Sequence, residues 1–176
     1  MEQLLVHTYD EFPDELRLQA VSFMRVEWPY IYSGERRLWM ETFPADLKPV
    51  HFSVTDGEVL LSHAEVVEAE FVHEGETLSV HGLGNVFTFP PFRRGGYGAQ
   101  VAAAATSRIL EAPGDAAFLK TNLQLEQFYS PHGWMTLNDS SGTGTSARPI
   151  TMGILRSDRA KHISATFRKG PLELPW

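Results

Sequence analysis

The sequence contains no cysteine among its 176 residues. This absence excludes disulfides and thiolate metal ligands, and it is compatible with a reducing cytoplasm. No apolar run approaches the length of a membrane span, and no basic region precedes the first apolar residues, so neither secretion nor membrane insertion is indicated. We therefore expect a cytoplasmic protein that does not bind a membrane.

Positive charge is also scarce, because 15 Lys and Arg residues face 22 Asp and Glu residues, for a formal net charge of −7. A nucleic-acid surface requires a basic face, so we expect no nucleic-acid partner. A hydrophobic content of 43% is enough to bury one core. We predict one domain over residues 1–176, with 156–176 as a C-terminal extension.

Metal and serine-hydrolase motifs are missing as well. The seven histidines are scattered, with no His-x-x-x-His pair on a predicted helix and no carboxylates clustered at ligand spacing. No Gly-x-Ser-x-Gly nucleophile elbow occurs. The sequence therefore predicts no metal site.

One stretch, from Val86 to Tyr97, stands out. Its apolar run, rich in β-branched and aromatic residues, predicts a buried strand, and Pro90 and Pro91 end that strand because they have no N–H to donate. A helix pattern follows from Gly98, and the first N–H groups of a helix have no intrahelical acceptor. With the helix dipole behind them, such donors favour a phosphate or pyrophosphate.

Two common nucleotide motifs do not fit this loop. No Lys-Ser or Lys-Thr follows the glycines, as a P-loop requires, and their spacing is not Gly-x-Gly-x-x-Gly. The pattern present is Arg93-x-x-Gly96-x-Gly98, which resembles the acyl-CoA loop of the GCN5-related N-acetyltransferases (GNAT). A second segment resembles the same family at a strand-ending Asn, an aromatic-Tyr pair and a Gly-aromatic pair, namely Asn122, Phe128, Tyr129, Gly133 and Trp134.

The resemblance covers roughly Leu4 to Leu155 and implies a fold and a cofactor. The implied fold is a single α/β domain with a mixed, mostly antiparallel sheet, a splayed central strand and flanking helices. The implied cofactor is acetyl-CoA, used as the acyl donor. The residues expected to bind it are Val86, Phe87, Thr88, Arg93, Arg94, Gly95, Gly96, Tyr97, Gly98, Ala99 and Asn122. Arg94 departs from the family pattern, which has glycine at that position.

Catalytic roles follow from the same resemblance and from strand pairing. Tyr129 matches the family position whose hydroxyl faces the sulfur, and hydrogen bonding to the leaving thiolate is favoured over full proton donation because a phenol is a weaker acid than a thiol. An alkyl amine needs a general base. Counting from a turn at Glu74-Gly75 places Glu65 opposite Gly84 and His63 opposite Val86, so Glu65 is our first candidate and His63 our second. Both alternatively line a wet sheet edge.

The aromatic cluster Trp28, Tyr30 and Tyr32 follows the first predicted helix. It packs either as a satellite core or, as the resemblance implies, as a wall of the acceptor pocket. The implied activity is transfer of an acetyl group to a primary amine, expected to belong to a small molecule, by direct attack in a ternary complex. A non-catalytic acyl-CoA-binding regulatory module and a protein N-acetyltransferase remain alternatives, and a homodimer is left open.

Secondary structure is predicted from turn signals and periodicity. Asp56-Gly57 predicts a hairpin, and Gly82 with Gly84 predict a bulge or a close approach in the strand that returns from Glu74-Gly75. Further predictions are a short helix over 36–43, a loop over 138–148 and a helical segment over 160–167.

Overall fold

The computed structural model describes residues 1–139, 149–167 and 172–176, so most of the predicted loop over 138–148 lies outside the described residues. The strands are β1 (Glu2–His7), β2 (Val50–Asp56), β3 (Val59–His73), β4 (Glu76–Thr88), β5 (Ala116–Asn122), β6 (Met135–Asp139) and β7 (Pro149–Leu155). The α-helices are α1 (Asp14–Glu27), α2 (Tyr97–Glu111), α3 (Glu126–Tyr129) and α4 (Asp158–Ile163). The strands form one mixed sheet in the order β1-β2-β3-β4-β5-β7-β6, which confirms the predicted fold class.

The chain divides into two compact units, each with its own apolar cluster. The first unit comprises Met1–Val66 and Asn85–Ala105, and the second comprises Val67–Gly84 and Thr106–Trp176. The core of the first unit joins α1 to strand residues and consists of Phe12, Leu16, Ala20, Val21, Phe23, Met24, Tyr32, Leu60 and Phe87. The core of the second consists of Phe71, Leu78, Val80, Ala116, Phe118, Leu137, Ala160, Ile163, Phe167 and Leu172.

The hairpin between β2 and β3 forms where Asp56-Gly57 predicts it, and Gly57 adopts a φ of +59° in the turn. Its antiparallel register places His51 opposite Glu65 and Ser53 opposite His63. These four side chains are buried although they are polar. Burying a polar group is costly unless it has a hydrogen-bond partner or a ligand, so the contacts of these four side chains matter for the function of the hairpin.

The strand β4 contains a bulge. The N–H of Phe89 donates to the carbonyl of Leu61 at 3.0 Å, so Phe89 lies opposite Leu61. Counting residues back along both strands from the Glu74-Gly75 turn would instead place Thr88 opposite Leu61. One extra residue therefore lies in β4, and Asn85 has the φ of +50° expected of such an irregularity. The predicted pairing of His63 with Val86 is corrected by this extra residue, which moves His63 opposite Phe87.

The predicted close approach at Gly82 is also found. A Cβ placed on Gly82 would lie 2.4 Å from the Trp176 ring, so the C-terminal tail packs where a side chain would otherwise stand. The preceding helix, α4, begins two residues before the predicted segment because Ser157 caps it, its hydroxyl accepting the N–H of Ala160 at 3.1 Å.

The helix predicted over 36–43 is wrong. One short 3₁₀ segment, Gly34–Leu38, overlaps its start, and a second, Ala45–Leu47, lies beyond its end. Arg25 explains part of the difference, because its guanidinium takes the carbonyl oxygens of Arg37 and Trp39, which a continuing helix would use internally.

A pH dependence of stability arises at His81. This imidazole in the second unit is buried, and burial is the main effect that lowers its pKa. The positive charges of Arg156 and Arg108 lower the pKa further, whereas the negative charge of Glu68 raises it. Because the pKa is lower in the folded state, the unfolded chain takes up this proton at a higher pH than the folded chain does. The free energy of unfolding therefore falls as the pH drops below about 6.5, by at most about 1.4 kcal/mol per pH unit. Urea unfolding at pH 7.5 and at pH 5.5 measures this change. The free energy of unfolding should fall less between the two pH values in His81→Gln than in the wild type. An identical decline in both proteins would contradict this assignment.

Candidate active site

The loop between β4 and α2 has an unusual backbone. A 3₁₀ turn over Pro90–Phe92 follows the strand, and the guanidinium of Arg93 donates to the carbonyl of Thr88 at 3.1 Å. Arg94 and Gly96 then adopt φ values of +70° and +83°. Alternation of left-handed residues turns successive N–H groups toward one side of the chain, a geometry typical of anion-binding loops.

The amides of this loop are free. Among the residues that the structure describes, none of the N–H groups from Arg94 to Ala99 donates to a protein acceptor, and the first helical bond of this turn is from Gln100 to Gly96 at 3.1 Å. Arg94, Gly95, Gly96 and Ala99 are exposed. These donors and the N-terminus of a 15-residue helix favour a bound anion.

Tyr97 covers one side of the loop. A Cβ on Gly95 would lie 2.6 Å from its ring, so glycine is required beneath it. The phenol donates a hydrogen bond to the carboxylate of Glu2, which raises the pKa of Tyr97. The ring is thus held in place by Glu2 of β1.

The end of β4 lies between this loop and the bulge. Phe87 is buried and stacks on Phe23 with a centroid distance of 4.4 Å, while its carbonyl accepts the Ser62 hydroxyl at 2.7 Å. The same hydroxyl lies 2.9 Å from the hydroxyl of Thr88. On its other side β4 pairs with β5 in parallel over Val80–Gly82, and the pairing stops six residues before the strand ends.

Glu65 and His63, the predicted base candidates, are fully buried. Carboxylate oxygen Oε1 of Glu65 accepts the Thr42 hydroxyl, and Oε2 accepts the Asn85 side-chain amide at 2.5 Å. Burial by itself would raise the pKa of Glu65, but its contacts with His51 and His63 outweigh burial and lower that pKa. Glu65 is therefore ionised.

Comparison with solved structures identifies the fold. Escherichia coli ElaA superposes with a TM-score of 0.64 at 14% identity, covering 87% of this chain and 99% of ElaA. An aminoglycoside 6'-N-acetyltransferase complexed with coenzyme A gives a TM-score of 0.62 at 13% identity over 88% and 99% of the two chains. A GNAT-family acetyltransferase from Streptococcus pneumoniae gives 0.57 at 13% identity over 88% and 100%. The chain has the GNAT fold.

The likeness is one of structure. No protein-family model matches the sequence, and no curated protein matches it. The GNAT fold nevertheless agrees with the resemblance that the loop sequence carries. Across the described residues, none of the helices has the length and apolar character needed to cross a bilayer.

The second motif of the GNAT resemblance lies in the second unit. Tyr129 ends α3, is buried, and makes an edge contact with Phe128 at a centroid distance of 4.8 Å. Burial raises the pKa of its phenol, and within the described residues the hydroxyl donates to no protein acceptor. Asn122 is exposed and makes no side-chain cap to the turn that follows β5, so its amide is available to a ligand.

The three predicted acceptor residues have different surroundings. Tyr32 is buried in the first core, where its hydroxyl donates to the carbonyl of Glu41 at 3.1 Å and Arg25 covers its ring at 4.4 Å. Trp28 is half-buried against Phe23. Tyr30 is 73% exposed. The assignment of these side chains to an acceptor wall stays a prediction.

The sequence missed several residues of the site. Thr42, His51, Ser53 and Asn85 all contact Glu65 or His63. Two of them could have been found from the sequence. Pairing β2 with β3 from the Asp56-Gly57 turn places His51 opposite Glu65 and Ser53 opposite His63.

A cavity of about 400 Å³ lies beside Thr42. Its lining is aromatic and acidic and comprises Trp39, Met40, Glu41, Phe43, Pro44, Ala45 and Asp46. The segment is tied to the bulge because the Asn85 amide donates to the carbonyl of Thr42 at 3.0 Å.

Proposed function

We propose that this protein is an N-acetyltransferase that moves an acetyl group from acetyl-CoA to a primary amine of a small molecule. The observation that carries the proposal is the row of free amides from Arg94 to Ala99 at the start of α2. A row of unpaired N–H groups at a helix N-terminus is suited to a diphosphate, which coenzyme A contains. The GNAT fold and a structural neighbour crystallised with coenzyme A support the same cofactor.

Residues for the chemistry are available on this chain. Acetyl-CoA supplies the thioester, and attack by a neutral amine on its carbonyl forms the amide bond and releases the thiolate. Main-chain N–H groups of β4 between Val86 and Thr88 are candidates to stabilise the carbonyl oxygen as it becomes negative. Tyr129, kept protonated by its raised pKa, is the candidate donor to the leaving sulfur.

The amine must lose a proton before it attacks, but neither of the candidate bases Glu65 and His63 is exposed. The assignment of this role to Glu65 or His63 stays a prediction, because both side chains are buried and two donors already occupy the Glu65 carboxylate. A proton would have to reach them through a relay.

The acceptor is proposed to be a cationic amine with an apolar body. The cavity beside Thr42 combines Trp39 and Phe43 with the carboxylates of Glu41 and Asp46. Aromatic faces and carboxylates together attract an ammonium group while packing against hydrocarbon. A cavity of about 400 Å³ is of the size that holds a small molecule.

Replacing Ala99 with glutamate is expected to raise the Kd for acetyl-CoA about tenfold. The new carboxylate would repel the diphosphate by about 1.4 kcal/mol, the value for unit charges ~6 Å apart at an effective dielectric constant of ~40. A carboxylate in the first turn is favourable for the helix itself, so folding stability will not fall. Isothermal titration calorimetry measures the affinity.

Ser107→Glu is the matched control for this charge. Ser107 is also exposed on α2, about 12 Å further along the helix axis, beyond a Debye length at physiological salt. Its acetyl-CoA affinity should match the wild type. Equal weakening by both substitutions would contradict a diphosphate site at Ala99.

The activity is tested by thiol release from acetyl-CoA against a library of primary amines. Acetyl-CoA binding with amine-dependent thiol release supports the proposal. Binding without release for any amine would favour the non-catalytic regulatory module, and release with peptide N-termini alone would favour a protein N-acetyltransferase. Sedimentation of the same sample determines whether the homodimer forms.

A further inference from the structure

Three potential metal ligands converge inside the first unit. His51, His63 and Glu65 each have 0% exposure, and one ligand atom from each lies within 4.8 Å of the other two. They come from adjacent strands, since the β2–β3 register places His51 opposite Glu65 and puts His63 two residues earlier on β3. Neighbouring positions on one sheet face point their side chains the same way.

The contacts among these atoms are not those of a hydrogen-bonded pair. His51 Nδ1 lies 2.9 Å from Glu65 Oε1, yet this nitrogen makes no hydrogen bond because its ring direction does not aim at the oxygen. His63 Nε2 lies 3.6 Å from the same oxygen, beyond hydrogen-bonding distance, and has no partner. Buried imidazole nitrogens without partners are costly, so they call for a ligand.

Two of the three ligand-atom separations suit a tetrahedral metal ion, and all three atoms lie within 4.8 Å of one another. Bonds of ~2.0–2.1 Å from nitrogen and oxygen to Zn²⁺ place neighbouring ligand atoms ~3.3 Å apart. The two observed separations, 2.9 Å and 3.6 Å, lie on either side of that value. A central ion would give His51 Nδ1 and His63 Nε2 the partner that each lacks.

Surrounding side chains hold the three ligands in place. The hydroxyl of Ser53 lies 3.1 Å from His63 Nδ1, so it fixes the ring with Nε2 facing Glu65. Asn85 binds the second carboxylate oxygen of Glu65, and Phe12 stacks on His51 at 3.9 Å with the rings 9° from parallel. Such supporting contacts to the outer atoms of ligands are typical of metal centres.

We propose that His51, His63 and Glu65 bind one Zn²⁺ ion. Two imidazoles with one carboxylate suit zinc, whereas Mg²⁺ and Ca²⁺ prefer all-oxygen sites. Three protein ligands leave one tetrahedral position for a water molecule. The sequence predicted no metal because its ligands lie on two strands rather than on one helix. This inference does not depend on acetyl transfer, and it excludes both Glu65 and His63 from acting as the base.

Metal content of the full chain, purified without a polyhistidine tag, tests the proposal. After dialysis against metal-free buffer, plasma mass spectrometry should find about one zinc per chain. Glu65→Gln keeps the size of the side chain and should lose the zinc, whereas His162→Ala, which removes an exposed histidine of α4, should retain it. A wild-type chain that holds no zinc, even after refolding with Zn²⁺, would overturn the proposal.

Ser53→Ala provides a second test that leaves all three ligands in place. Loss of the hydroxyl that orients His63 should weaken zinc affinity about 10- to 100-fold. The metal-free wild type should gain about 5–10 °C in Tm with Zn²⁺ at a hundredfold excess over Kd, and Ser53→Ala should gain less at the same concentration. Zinc-induced stabilisation that is equal in wild type, Ser53→Ala and Glu65→Gln would contradict binding at this cluster.

Discussion

Replacing Glu65 with alanine is expected to lower the free energy of unfolding by about 3–5 kcal/mol. The carboxylate is fully buried and is contacted by Thr42, Asn85, His51 and His63. Its removal leaves the Thr42 hydroxyl and the Asn85 amide without their acceptor in a site that water does not reach, which adds their desolvation cost to that of the cavity. Urea unfolding followed by circular dichroism measures the change.

Glu70→Ala is the control, because Glu70 lies on the same strand β3 and is exposed. Its unfolding free energy should change by less than about 0.5 kcal/mol. If Glu65→Ala lost no more stability than this control, the buried cluster would not be a structural centre of the first unit.

Replacing Tyr129 with phenylalanine is expected to reduce kcat about 10- to 100-fold while leaving the Kd for acetyl-CoA unchanged. A hydrogen bond to a charged group is worth about 1.5–3 kcal/mol, and the thiolate acquires its charge only as it leaves. The hydroxyl donates to no acceptor in the described part of the protein, so stability should not fall. Stopped-flow thiol detection with a saturating amine measures kcat.

Tyr9→Phe removes a hydroxyl from a tyrosine outside the proposed site, a short 3₁₀ segment after β1. Its kcat should equal that of the wild type. A Tyr129→Phe enzyme with full kcat would exclude the phenol from thiolate stabilisation, and a raised Kd with unchanged kcat would assign Tyr129 to cofactor binding instead.

Local signals in the sequence were sufficient for much of the fold. The hairpin turn forms at Asp56-Gly57, because the apolar runs on either side of it end at residues that suit a turn. The loop after β4 was predicted for the same reason, since Pro90 and Pro91 end the strand and glycines open the helix.

Features set by tertiary contacts could not be predicted in the same way. The segment over 36–43 has helical periodicity, but Arg25 takes carbonyl oxygens that a helix would use. The bulge was expected near two glycines, yet the left-handed residue is Asn85, whose amide is held by Glu65 and Thr42. The local backbone conformation at these two places therefore depends on residues that are distant in the sequence.

The candidate site shows the same division. The anion-binding loop is local, so a single motif indicates it. The cluster around Glu65 depends on cross-strand pairing of His51 and on Thr42 from a loop, whereas strand counting from the turn predicts Glu65 and His63 as candidate bases. Buried polar networks are assembled by topology, which residue spacing alone does not specify.

Amide-resolved NMR during titration with acetyl-CoA tests the central claim most directly. The N–H groups from Arg94 to Ala99 are predicted to show the largest chemical-shift changes and the strongest protection from hydrogen exchange, because the diphosphate becomes their acceptor. Saturable acetyl-CoA binding that leaves these six amides unchanged, or no binding at all, would contradict the account.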